Sequence, residues 1–167
     1  MKTIFRITQG LLRNIHADLD RPHEFAAERV GFISCRQSAL PNGMAILAER
    51  YLPVDDQDYA NDPAFGAVVS GSGFRKVLSL AYNDAVNIFH IHRHECVGLP
   101  GFSRADLAES RKFVPDFWKV RPGVPHGVIV LSHDSAQGLI WDPVDRLPKP
   151  IDEIMVVGMP LRWTWEA

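Results

Sequence analysis

The chain is expected to fold as one α+β domain of the α/β class spanning residues 1–167, with a mixed central sheet flanked by helices. Three observations predict it. Segments of strand and helix periodicity alternate along the chain in the order strand, strand, helix, strand, helix, strands. No internal repeat, low-complexity tract or linker divides the 167 residues, a length sufficient for one proper core. Pro41-Asn42-Gly43 stands between two apolar runs, the sequence signal of a tight hairpin.

Thr3 to Thr8 suits a short strand, and Leu11, Leu12 and Ile15 have helical spacing up to the break at Asp20-Arg21-Pro22. Phe25 to Arg29 lead into a strand from Val30 to Cys35. The Asn42-Gly43 pair, able to take positive φ angles, turns it back into a second, antiparallel strand from Met44 to Val54. Asp55 to Pro63 is acidic but lacks the ligand order and glycine of an EF-hand, so a solvated loop is expected there rather than a calcium site. Gly66 to Ser70 suits a short strand, Gly71-Ser72-Gly73 a break, and Phe74 to Tyr82 a helix. No Lys-Ser or Lys-Thr pair follows those glycines, which excludes a phosphate-binding loop.

Ala85 to Ile91 is mostly apolar and reads as a largely buried strand; Glu95 to Gly101, with two glycines and a proline, reads as loop. A helix from Ser103 through Phe113 is expected to end before Pro115. After the turn-rich Arg121 to Pro125, strands are expected at Val128–Ser132 and Gly138–Trp141 around the turn His133 to Gln137. Ile154–Val157 and Leu161–Trp165 suit a final hairpin.

The stretch His90-Ile91-His92-Arg93-His94, followed by Ser103-Arg104-Ala105-Asp106, concentrates the chemistry. Alternation along a strand points His92 and His94 the same way. Asp106 sits in the first turn of the helix that follows the loop. Two imidazoles and a carboxylate leave a fourth tetrahedral position open, as in a catalytic rather than a structural zinc site. Ser103-x-x-Asp106 is also a helix capping box, worth roughly 1 kcal/mol without any metal.

H-x-H, a loop and S-x-x-D resemble the JAMM signature of the JAB/MPN metalloproteases, and the element order agrees with the JAB/MPN fold. The resemblance runs from about Glu28 to Trp141. It implies one Zn2+ per chain held by His92, His94 and Asp106. It also implies an upstream glutamate in an E-x-x-G-apolar pattern, which Glu28-Arg29-Val30-Gly31-Phe32-Ile33 matches better than the surroundings of Glu24 or Glu49. Glu28 would then take a proton from water and pass it to the leaving amine, and the Ser103 hydroxyl would help hold the oxyanion. Two departures stand out: Glu95 replaces the proline that commonly follows the second histidine, and the loop to Phe102 is one residue longer. Neither removes a ligand, and Glu95 in place of proline implies a looser loop. His90, Glu95 and Cys96 are candidates for supporting or substrate-contacting roles; His126 and His133 are expected at the surface or in a substrate groove.

The implied activity is that of a zinc (iso)peptidase, deubiquitinase-like, cutting after the C-terminal glycine of a ubiquitin-like protein, for deconjugation or precursor processing. E1-like and E2-like partners and a bacterial antiphage context come with the resemblance. A non-catalytic scaffold of the same fold and a zinc hydrolase of small amides are the alternatives. A net charge of −2 offers no handle for nucleic acid or an anionic membrane. Two cysteines build no disulfide framework, and no run reaches membrane-span length, so a cytoplasmic protein is expected.

Overall fold

The computed structural model describes residues 2–158, apart from 25, 27 and 63–65. The strand expected at Leu161–Trp165, with Trp163 and Trp165, lies outside the described residues. Among those described, eight strands form one mixed sheet with three α-helices against it, so the α+β expectation holds at that level.

β1 (Lys2–Thr8) leads into α1 (Gln9–Leu19), whose first turn is capped by the Thr8 hydroxyl accepting the Leu11 amide. β2 (Val30–Leu40) and β3 (Gly43–Pro53) form the expected antiparallel hairpin, with Pro41-Asn42 at the turn. Neither Asn42 nor Gly43 takes a positive φ. Pro41 already sets a negative φ suited to an ordinary turn, and Gly43 serves instead for close approach. β1 pairs parallel with β3, and a Cβ at 43 would run into the Lys2 carbonyl oxygen.

The acidic segment after β3 is less solvated than expected. It winds one 3-10 turn, Asp56–Asp58, and Asp58 is buried, ion-paired to Lys76 and hydrogen-bonded by the Ser72 hydroxyl. Gly66–Ser70 forms no strand, only an isolated bridge between Val69 and Tyr59. The glycines after it do not interrupt a helix but begin one: α2 (Gly71–Asp84) is capped by Ser70, and a side chain at Gly73 would strike Asp58 and Val69.

β4 (Asn87–Arg93) lies in mid-sheet, antiparallel to β2 and parallel to β5 (His126–Leu131). β6 (Ala136–Trp141) and the short β7 (Pro148–Pro150), with prolines protecting the outer edge, complete one side. β8 (Glu153–Val157) pairs parallel with β1 at the opposite edge; the second strand of the expected hairpin lies outside the described residues. The order is β7-β6-β5-β4-β2-β3-β1-β8.

α3 (Arg104–Val120) passes straight through Pro115. Proline in a helix interior costs about 3 kcal/mol, but Val114 and Phe117 flank it at 0% exposure. Burying two such side chains contributes roughly 1.5–3 kcal/mol each, enough to carry the helix on.

The sheet divides the core. α1 covers one face, where Ile15 and Leu19 pack with Phe5, Ile33, Phe89 and Ile91. α2 and α3 cover the other, where Val77, Ala81 and Phe117 pack with Val30, Phe32 and Ile88. Alternation along β4 therefore sends Phe89, Ile91 and Arg93 toward α1, and Ile88, His90 and His92 toward α3. That parity places the site.

Candidate metal centre

His92 is buried at the end of β4, and His94 follows just outside the strand, half-exposed, its amide held by the Leu131 carbonyl at 2.9 Å. The loop then returns the chain to α3, whose first turn carries Asp106. The capping box is present in full. The Ser103 hydroxyl accepts the Asp106 amide at 3.1 Å, and Asp106 Oδ2 accepts the Ser103 amide at 2.6 Å. Capping does not consume the carboxylate, because each oxygen has more than one lone pair. Oδ1 stands 3.5 Å from His92 Nε2, Oδ2 stands 3.5 Å from His94 Nε2, and the two Nε2 atoms are 3.2 Å apart.

Those three separations test whether an ion fits. Donors about 2.0–2.1 Å from a tetrahedral ion stand about 3.3 Å apart. The two imidazole nitrogens stand at about that spacing and each has an Asp106 oxygen close by, so the group could hold a metal ion. Burial of the Asp106 carboxyl opposes its ionisation, yet hydrogen bonding to His92, the charge of that ring and the Ser103 groups hold it well below the usual carboxylate range. A carboxylate at a helix N-terminus also gains from the helix dipole. His92 Nδ1 is buried without a hydrogen-bond partner.

Glu28 comes to the same place from β2. Val30 lies opposite His92, so the antiparallel register continued two residues back brings Glu28 level with His94. Its amide is held by the Gly66 carbonyl at 3.2 Å, and its carboxyl lies against Gly66, where any Cβ would strike Oε1. Burial raises its pKa; Asp106 adds to the rise, while His92 and His94 oppose it. Glu49 is exposed on β3 in a salt bridge with Arg36, and Glu24 is exposed. Neither approaches the group.

Two clefts meet at Glu28 and Gly66. One, about 540 Å³, is polar and runs past His94, Arg93, Asp20 and Arg29. The other, about 430 Å³, runs past His92 and Asp106 among aromatic rings. His90 belongs to this second cleft. It packs between Phe32 and Phe113, with centroids 5.4 and 5.2 Å away, instead of joining the ligands, and burial beside His92 lowers its pKa to about 3.

The remaining candidates fall outside the group. The Glu95 carboxylate bonds Arg93 at 2.7 Å and lies 3.2 Å from His133 Nε2. The guanidinium of Arg93 also pairs with Asp20 beyond the end of α1. Sequence reasoning missed this anchor, although the strand parity that aims His92 at α3 necessarily aims Arg93 at α1. Cys96 contributes backbone bonds to His94 and His133 and no metal donor. His126 is not a surface or groove residue. It is fully buried, its Nδ1 accepts the Ile88 amide at 3.0 Å, and its ring stacks on Phe117. Of the tryptophans described, Trp141 is core.

No family model matches the chain, and no curated protein matches it. Among solved structures it is similar to the N-terminal domain of STIL from Trichoplax adhaerens, at 11% identity and a TM-score of 0.42. That match covers 80% of this chain and 39% of the other. No helix among the described residues is long and apolar enough to cross a membrane.

Proposed function

We propose that the protein is a zinc-dependent amide hydrolase of the JAB/MPN type that cuts after the C-terminal glycine of a ubiquitin-like protein. The observation that carries this reading is the His92–His94–Asp106 group, its donor atoms close enough together to share one ion, with Glu28 beside it. His92 Nε2, His94 Nε2 and one Asp106 oxygen would hold the ion, which supplies a Lewis acid and acidifies water near neutral pH. Glu28, partly desolvated, is suited to take a proton from water and return it to the leaving amine. The Ser103 hydroxyl only accepts in its capping bond, so its proton remains free to donate to a developing oxyanion. The polar and apolar clefts on either side of Glu28 give an extended chain room to cross the site.

The test uses zinc-loaded protein with ubiquitin-like domains fused through a terminal glycine to a reporter peptide. Cleavage at the glycine by wild type, and its loss in Glu28→Gln with zinc content unchanged, is the expected result. Zinc binding without cleavage of any fusion, but with turnover of small amides, would move the assignment to a small-amide hydrolase. A folded chain that takes up no zinc would leave a non-catalytic scaffold.

A further inference from the structure

The apolar cleft is larger than a glycine tail requires. A ubiquitin-like C-terminus presents no side chain at the scissile glycine, so the acyl side of the bond needs only a narrow path. The cleft, however, opens to about 430 Å³ against His92, Asp106 and Glu28. A cavity of roughly 150 Å³ walled by apolar side chains already takes a benzene-sized group. Phe32, Phe74 and Phe113 meet edge to face around it, with Phe32 and Phe113 each 6.0 Å from Phe74. His90 packs between Phe32 and Phe113, and Ala67 and Val69 also line the cleft. Besides Glu28 and Asp106, the charged side chains that line it are Asp62, Glu109 and Lys112.

We infer that this aromatic chamber receives the side chain of the residue on the amine side of the scissile bond, and that this residue is large and apolar. The inference rests on the proposed hydrolase and narrows it. The favoured substrate is a ubiquitin-like precursor in which an aromatic or branched apolar residue follows the glycine, rather than a conjugate at a solvated lysine. The chemistry is ordinary amide hydrolysis: water adds across the C–N bond, the glycine leaves as a carboxylate and the apolar residue as a free amine. Burying a phenyl-sized side chain there favours it over glycine by about tenfold to a hundredfold.

The experiment follows binding of the released fragment, not turnover. Phenylalaninamide and glycinamide are titrated into zinc-loaded full-length protein and followed by amide NMR shifts at residues 67–69 and 113. Phenylalaninamide is expected to bind at least tenfold tighter and to move those resonances. Ala67→Phe, which fills the chamber, is expected to abolish the preference with zinc content unchanged; Val69→Ala, which enlarges it, is expected to keep it. Equal affinities in a zinc-loaded protein that still cleaves glycine fusions would overturn the chamber assignment and spare the hydrolase. Failure to bind zinc would overturn both.

Discussion

Asp106 carries two jobs whose energies separate cleanly. Asp106→Asn keeps an amide oxygen able to accept the Ser103 amide and removes the charge that faces His92 and His94. In metal-free protein the substitution should cost no more than the roughly 1 kcal/mol a helix cap contributes. With zinc at about 100 times the wild-type Kd, binding adds about 2.7 kcal/mol to wild-type stability. For a chain of this size that is a rise in Tm of roughly 5–11 °C. If losing the carboxylate weakens zinc about a hundredfold, the same zinc concentration only equals the variant's Kd. The gain then falls to about 0.4 kcal/mol, a rise of roughly 1–2 °C. Thermal unfolding with zinc and with chelator reads both quantities on one instrument. Asp106→Ala should show the cap loss as well, even under chelator. An equal zinc-induced rise in wild type and Asp106→Asn would refute the ligand assignment and leave Asp106 a helix cap.

Other expectations test the surrounding structure. Gly66→Ala should push the Glu28 carboxyl aside, lowering turnover of glycine fusions about tenfold or more with zinc content unchanged, as steady-state kinetics beside metal analysis will show. His126 is neutral in the fold because burial lowers its pKa to about 4. The unfolded chain binds that proton below about pH 6.5. Stability from this residue is therefore complete above pH 6.5 and is lost as pH falls toward 4. Between pH 7 and 5, wild type should lose about 2 kcal/mol more than His126→Gln in urea unfolding, and parallel losses would count against the buried neutral ring. Gly43→Ala should destabilise by about 1–3 kcal/mol, measured in the same assay, because its Cβ meets the Lys2 carbonyl across the β1–β3 pair.

Where local rules and burial agreed, the chain was legible from its letters. The β2–β3 hairpin, the buried β4 and the capping box at α3 all follow from nearest-neighbour chemistry: apolar period, turn residues and a serine three positions before an acid. Local rules failed where a distant partner outweighed them. Pro115 should have ended α3, but the buried Val114 and Phe117 carry it through. His126 looked like a groove residue until Phe117 and the Ile88 amide enclosed it.

For the site the division is similar. The sequence by itself determined which donors exist and, through strand parity, that His92 and Arg93 point to opposite faces of the sheet. Only the tertiary structure decided that β4 and α3 bring three donors close enough together to share one ion. It also decided that the β2–β4 register delivers Glu28, and that aromatic rings from β2, α2 and α3 enclose a chamber beside them. Spacing along a chain sets which way a side chain points; distances between side chains on different elements depend on packing, which no local pattern records.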